Sequence, residues 1–226
     1  MSLFSHLRSD RGNIFLALFA AVALVGLLSY AVSQFIRGPL TTSTNITRVN
    51  LAQQQMISAG QMIIATSALS KDADGTTPNN GDRDGDIYIE PLQYRSAGAD
   101  PKPTGGGYIP NSVGATKLDP WGTEYGYCVW DPGVTTIPNA DADCDLPNND
   151  YRLAGAGATV ADGLVVVALI SAGKDKTFQT TCNAFVDLNA DNTPDNTLVD
   201  KTSGADDIIV QYTYDEAEEA GGDLWV

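Results

Sequence analysis

Ile14 to Ile36, IFLALFAAVALVGLLSYAVSQFI, is 23 residues without one charged side chain. As a helix rising about 1.5 Å per residue it would span roughly 34 Å, more than the ~30 Å hydrocarbon core of a bilayer. Its polar residues, Ser29, Tyr30, Ser33 and Gln34, cluster near one end, so no polar stripe runs along it. A secretory signal peptide has an apolar region of only ~7–15 residues, and this stretch is longer. Arg8 and Arg11 precede it and Arg37 follows, a bias that favours a cytoplasmic N-terminus.

Beyond Gly38-Pro39 the apolar residues Ile46, Val49, Ala52, Met56, Ala59 and Ile63 recur at steps of three and four. That spacing predicts one face of an amphipathic helix. Pro39, lacking an N–H, marks the point where the path can bend. Residues 14 to about 69 then read as one long helix, apolar all round in its first half and on one stripe in its second. Lys71-Asp72-Ala73-Asp74-Gly75 ends it. The first half is too long to bury inside a domain of this size, so it must meet lipid or copies of itself.

The rest of the chain differs in kind. Of 226 residues, 13 are basic and 28 acidic, a net charge of −15. Residues 1–70 hold four basic groups and one acid, a net of +3; residues 71–226 hold nine and 27, a net of −18. This balance argues against nucleic acid, whose binding depends on Lys and Arg neutralising phosphates. His6 is the single histidine, which removes most triad and zinc chemistry. Gly and Pro concentrate after residue 70, as in a loop-rich globular domain. The fold class expected is α+β, with a long N-terminal helix on a small antiparallel sheet. Its strands are placed at 125–131, 164–171 and 207–214, with 86–90 and 151–154 as possible edges.

A short charged leader, a Gly and an apolar helix that continues into an amphipathic half resemble the type IV pilin and pseudopilin superfamily. The resemblance implies cleavage by a prepilin peptidase after Gly12, leaving Asn13 as the new N-terminus. Where the family carries a Glu five residues into the mature chain, this sequence has Ala17, so the usual pairing with a neighbour's terminal amine is missing. DPWGTEYGYC (119–128) is similar to a segment of the major pseudopilin of type II secretion. Ser171-Ala172-Gly173-Lys174-Asp175 and Gly204-Ala205-Asp206-Asp207 are similar to that family's later loops, in the same order. The implied organisation is a leader at 1–12, a helix at 13–70 (13–37 membrane or filament core, 38–70 amphipathic half) and an acidic domain at 71–226. The implied partners are further copies in a helical filament, the inner membrane, an inner-membrane assembly platform and the peptidase. The expected location is the inner membrane, then the periplasm or cell exterior.

Of the 27 acids in residues 71–226, 22 are Asp, a residue that favours turns and oxygen cages for hard cations. Asp82, Asp84 and Asp86 alternate around Gly85. Asp187, Asn189, Asp191 and Asp195 take positions one, three, five and nine of an EF-hand-like loop, but Asn192 and Leu198 stand where that loop needs Gly and Glu. Asp175 with Asp206 and Asp207 is the set for which the resemblance implies a structural Ca²⁺. Calcium would relieve repulsion in a domain this acidic, and its removal would lower thermal stability. Of Cys128, Cys144 and Cys182, one disulfide is expected, Cys128–Cys182 in preference to Cys144–Cys182, with one thiol left over. Zinc lacks a Cys-x-x-Cys. Ser171-x-x-Lys174 spells a nucleophile motif without the partners that a penicillin-recognising enzyme needs, and no enzyme is expected. Two other readings stand beside the filament subunit. One is a minor or tip pseudopilin; the other is a signal-anchored periplasmic module that binds calcium or sugar and forms no filament.

Overall fold

The computed structural model describes residues 10–69, 81, 88–96, 98, 100–132, 152–155, 163–189 and 193–221. The chain divides into two units, residues 1–47 and 48–226. Helix α1 (Asp10–Ala68) is 59 residues long and is helical through Gly38 and Pro39. In the first unit, Ile14–Gln34 has a mean hydropathy of 2.4 and none of it is buried.

The second unit carries β1 (Gly107–Tyr108), β2 (Gly126–Asp131), β3 (Leu153–Ala154), β4 (Val165–Ser171), β5 (Thr180–Cys182), β6 (Val199–Lys201), β7 (Ile208–Thr213) and α2 (Tyr214–Gly221). The main sheet has the order β1-β2-β4-β7, all antiparallel, with β3 added parallel to β2. β5 and β6 form a separate antiparallel pair. The three expected principal strands are therefore present, each within a residue or two of its expected bounds.

Side chains alternate across a strand, and here both faces are used. Tyr127 and Val129 of β2 with Val167 and Leu169 of β4 face one cluster, which also holds Ala52, Met56, Ala59 and Ile63 of α1. Cys128, Trp130, Ala168 and Ile170 face a second cluster with Cys182, Phe185 and Leu198. A sheet buried on both faces needs near-continuous apolar strands, which GYCVWD and VVVALIS supply. The helical stripe read from spacing is real at Ala52, Met56, Ala59 and Ile63, whereas Ile46 is exposed.

The expected strand at 86–90 is not one over its described part, Tyr88–Glu90. Arg95 takes the place beside β1, exchanging two backbone hydrogen bonds of 2.9 Å with Tyr108. The β5–β6 pair and α2 were not expected. Thr213-x-x-Glu216 forms a capping box at the start of α2: Glu216 N–H donates to Thr213 Oγ1 (3.3 Å), and Thr213 N–H donates to Glu216 Oε2 (3.0 Å).

Two contacts fix the layers. Gly60 of α1 lies against the ring of Tyr212 on β7, whose hydroxyl donates to Ile57 O at 2.9 Å; a Cβ at Gly60 would overlap that ring. On the other face a disulfide joins Cys128 of β2 to Cys182 of β5, both buried, with Cα atoms 6.3 Å apart. Gly60→Ala should cost about 1–3 kcal/mol by overpacking, read as a lowered denaturant midpoint with unchanged slope. Replacing both Cys128 and Cys182 by Ser should cost about 2–5 kcal/mol, since the bridge closes a long loop, in the same measurement.

Candidate functional site

Gly12 and Asn13, the implied processing pair, lie in the first turns of α1, and Ala17 follows on the exposed apolar helix. The large apolar residues from Ile14 to Val32 are each more than half exposed, Phe19 at 78%. Solvated apolar surface of that extent on a continuous helix marks a contact surface rather than a finished exterior.

The second candidate is the joint where the loop after β4 meets the start of β7. Gly173 turns the chain at φ +67°, and a Cβ there would press on the Asp206 main-chain oxygen at 2.6 Å. Asp206 Oδ2 accepts from Lys174 N–H (2.7 Å) and Asp175 N–H (3.2 Å). Asp175 Oδ1 accepts from Thr177 N–H (2.9 Å), and its Oδ2 accepts from the Gln179 amide. Asp207, 2% exposed, accepts at Oδ2 from Gln179 N–H (2.9 Å) and Thr180 Oγ1 (2.6 Å). Burial pushes the Asp207 carboxyl above its usual range; the Thr180 and Gln179 hydrogen bonds and the nearby Lys201 charge oppose that shift. The joint thus ties the loop, β5 and β7 together through three carboxylates.

The same joint continues to the Asp-Pro-Trp-Gly turn. Asp119 Oδ1 accepts from Trp121 N–H (3.0 Å) and Thr123 N–H (2.9 Å), and its Oδ2 accepts from Ser171 Oγ (2.7 Å). Ser171 Oγ in turn accepts from Gly173 N–H (3.2 Å). Ser171 and Asp119 are buried, so the Ser-x-x-Lys serine spends its hydroxyl on structure. Three blocks of sequence far apart along the chain meet in one hydrogen-bonded line.

Calcium wants six to eight oxygen ligands. At the joint most carboxylate oxygens are turned to N–H and O–H donors. Asp207 Oδ1 and Gln179 Oε1 alone among its atoms are buried without a hydrogen-bond partner. Among the described residues no group of three His, Cys, Asp or Glu side chains gathers as a metal cage. In the EF-hand-like segment, Asp187 Oδ1 accepts from Asn189 N–H (3.2 Å), and Asp195 Oδ2 accepts from Leu188 N–H (2.6 Å). Asp191, Asp82, Asp84, Asp86 and Cys144 lie outside the described residues.

Sequence reasoning missed the ion pair of Arg152 and Asp131, 3.1 Å apart with both side chains almost wholly buried. It also missed Gln179 and Lys201, whose ammonium donates to the Asp207 main-chain carbonyl. The Thr-x-x-Glu box was legible in the sequence; the ion pair, set by β3 lying beside β2, had no local sign.

The Asp207 shift has a definite sign in pH. A carboxyl whose folded pKa is raised favours folding below its unfolded pKa of about 3.9 and loses that gain as pH rises through the folded pKa. Asp207→Asn keeps an acceptor oxygen and does not titrate. Relative to this variant, the wild-type protein should therefore lose stability as pH rises through the range above the unfolded value of about 3.9. Denaturant midpoints across that range check it; parallel profiles would show that burial does not perturb the group.

No family model matches the chain, and neither the curated proteins nor the solved structures contain a match. The structure shows a long N-terminal apolar helix followed by an antiparallel sheet, a pilin-like architecture, with a disulfide that fits an extracytoplasmic location.

Proposed function

We propose that this chain is the structural subunit of a type IV pilus-like or type II secretion pseudopilus filament. The observation that carries the reading is the contrast along α1. Ile14–Gln34 has no buried residue, while Ala52, Met56, Ala59 and Ile63 of the same helix are sealed against the sheet. In the precursor the exposed half sits in the inner membrane. A prepilin peptidase cuts between Gly12 and Asn13, and the helix then exchanges lipid for the helices of sister subunits.

Apolar burial at ~25 cal/mol per Å² largely cancels in that exchange, because lipid is as apolar as the neighbouring helix. Close packing and an assembly machine must then decide the outcome. The small residues Ala17, Ala20, Ala21, Ala23 and Gly26 suit close helix approach. The distal half adds support. Val49–Leu69 contains no charged residue, yet Leu51, Ile57 and Met62 are exposed on it.

Ala17 favours one variant of this reading, a minor or tip subunit. A subunit with nothing beyond it has no need of a carboxylate to receive the next terminal amine.

Two measurements test the proposal. Mass analysis of the membrane or sheared surface form should show a chain beginning at Asn13. Electron microscopy of the sheared material should show filaments containing it. A mature protein that keeps Met1 and occurs only as single membrane-held copies would favour the signal-anchored module instead.

A further inference from the structure

The joint of Asp175, Asp206 and Asp207 is where the pilin resemblance implies calcium, and its donor set points elsewhere. We propose that the joint is held by cations and amide donors of the chain itself, with Lys201 as resident counter-charge, and needs no divalent metal.

The first observation is where the scarce basic residues stand. Residues 71–226 hold nine basic groups against 27 acidic ones. Three of the nine, Lys174, Lys176 and Lys201, lie in the segments that build the joint, against Asp175, Asp206 and Asp207, with Asp200 adjacent. A domain with one basic group for every three acids approaches balance at this place. An acidic loop built for a metal would gain by excluding ammonium groups, which compete for the same oxygens.

The second observation is register. β5 and β6 pair with Thr180 opposite Lys201. Thr180 is the residue whose hydroxyl donates to the Asp207 carboxylate at 2.6 Å. The hairpin therefore delivers a hydroxyl and an ammonium to one residue from two paired strands. Lys201 Nζ donates to the Asp207 main-chain carbonyl, the kind of oxygen that a calcium site would also recruit.

The third observation is how the remaining oxygens are used. Asp206 serves Lys174 N–H and Asp175 N–H, Asp175 serves Thr177 N–H and the Gln179 amide, and Asp207 serves Gln179 N–H and Thr180 Oγ1. A divalent ion seated here would displace the ammonium and break several of these bonds. The two buried oxygens without a hydrogen-bond partner, Asp207 Oδ1 and Gln179 Oε1, fall well short of the six to eight that a calcium shell needs.

The test is thermal unfolding of the full chain in detergent at low ionic strength, in chelator and in millimolar calcium. The wild-type midpoint should agree between the two conditions within about 1 °C. Lys201→Met should lower it by about 2–4 °C in chelator, and Lys201→Arg should restore most of the loss. A calcium-dependent rise in the wild type that Asp207→Asn abolishes would overturn the proposal. A rise that Asp207→Asn leaves intact arises at another site and leaves the joint metal-free, as proposed. Lys201→Met melting together with the wild type would remove the role given to that residue. None of these readouts depends on whether the chain polymerises.

Discussion

The seating of Ala52, Met56, Ala59 and Ile63 on the sheet is the contact on which the rest of the domain depends. It uses steps of four, three and four, the repeat that keeps one helix face toward a flat partner. Gly60, inside this stretch, lets the Tyr212 ring come against the helix backbone. Once one face of β2 and β4 is covered by α1, the other face still presents Cys128, Trp130, Ala168 and Ile170. The chain covers it with the long excursion from Ala172 to Asp207, which joins two strands, β4 and β7, that pair directly with each other. Adjacent antiparallel strands need only a short turn; the extra residues serve as a lid for the second face. The disulfide, the Trp130 Nε1 bond to Asn183 O (2.8 Å) and the aspartate joint hold that lid down.

The line from Asp119 through Ser171 and Gly173 to Asp206 explains why three short blocks occur together. Each looks weak in isolation: a turn, a loop after a strand, an acidic lead-in to the last strand. Their residues meet because antiparallel pairing of β2 with β4 and β4 with β7 brings the start of β2, the end of β4 and the start of β7 to one edge. Buried carboxylates there must be paired or hydrogen-bonded, so Asp at 119 and 207 calls for donors at 121, 123, 171, 179 and 180, while the exposed Asp206 accepts from the main chain at 174 and 175. The aspartates at these positions thus tie separate segments together through hydrogen bonds.

Much of this was legible in the sequence, for identifiable reasons. The apolar 23-residue stretch, the helical stripe after Pro39 and the strands around Tyr127, Ala168 and Val210 are local patterns, and local periodicity reports local structure. The Cys128–Cys182 pairing, expected ahead of Cys144–Cys182, is the one present. The pairing of Arg152 with Asp131 and the convergence of Lys201 on Asp207 depend on which strands lie beside each other, which no window of sequence contains. Residues 88–90, the described part of the expected 86–90 strand, were misread because an alternating apolar segment next to a sheet looks like a strand. Here Ile89 and Glu90 are buried while Arg95 makes the backbone bridge. The α2 helix was overlooked because eight residues carry little periodicity, although its cap was spelled out.

Charge is distributed in a way that joins the fold to the proposed assembly. Almost all of the negative charge lies after residue 70, and Val49–Leu69 carries no charge at all. Two copies approaching through their acidic surfaces would repel each other, an interaction that reaches about 10 Å at 0.1 M salt. Two copies approaching through their helices would not. The acidic exterior then keeps domains soluble and apart, while the apolar front half of α1 and the uncharged outer side of its distal half remain open for contact. Leu51 and Met62 on one flank of that half and Ile57 on the other stand exposed, since the sheet covers only the stripe of Ala52, Met56, Ala59 and Ile63 between them. In the proposed filament, the charge pattern selects the helix as the contact surface, and the strength of that contact comes from helix packing. Such an interface can do without the carboxylate missing at Ala17, because orientation is set by which surfaces repel as well as by which attract.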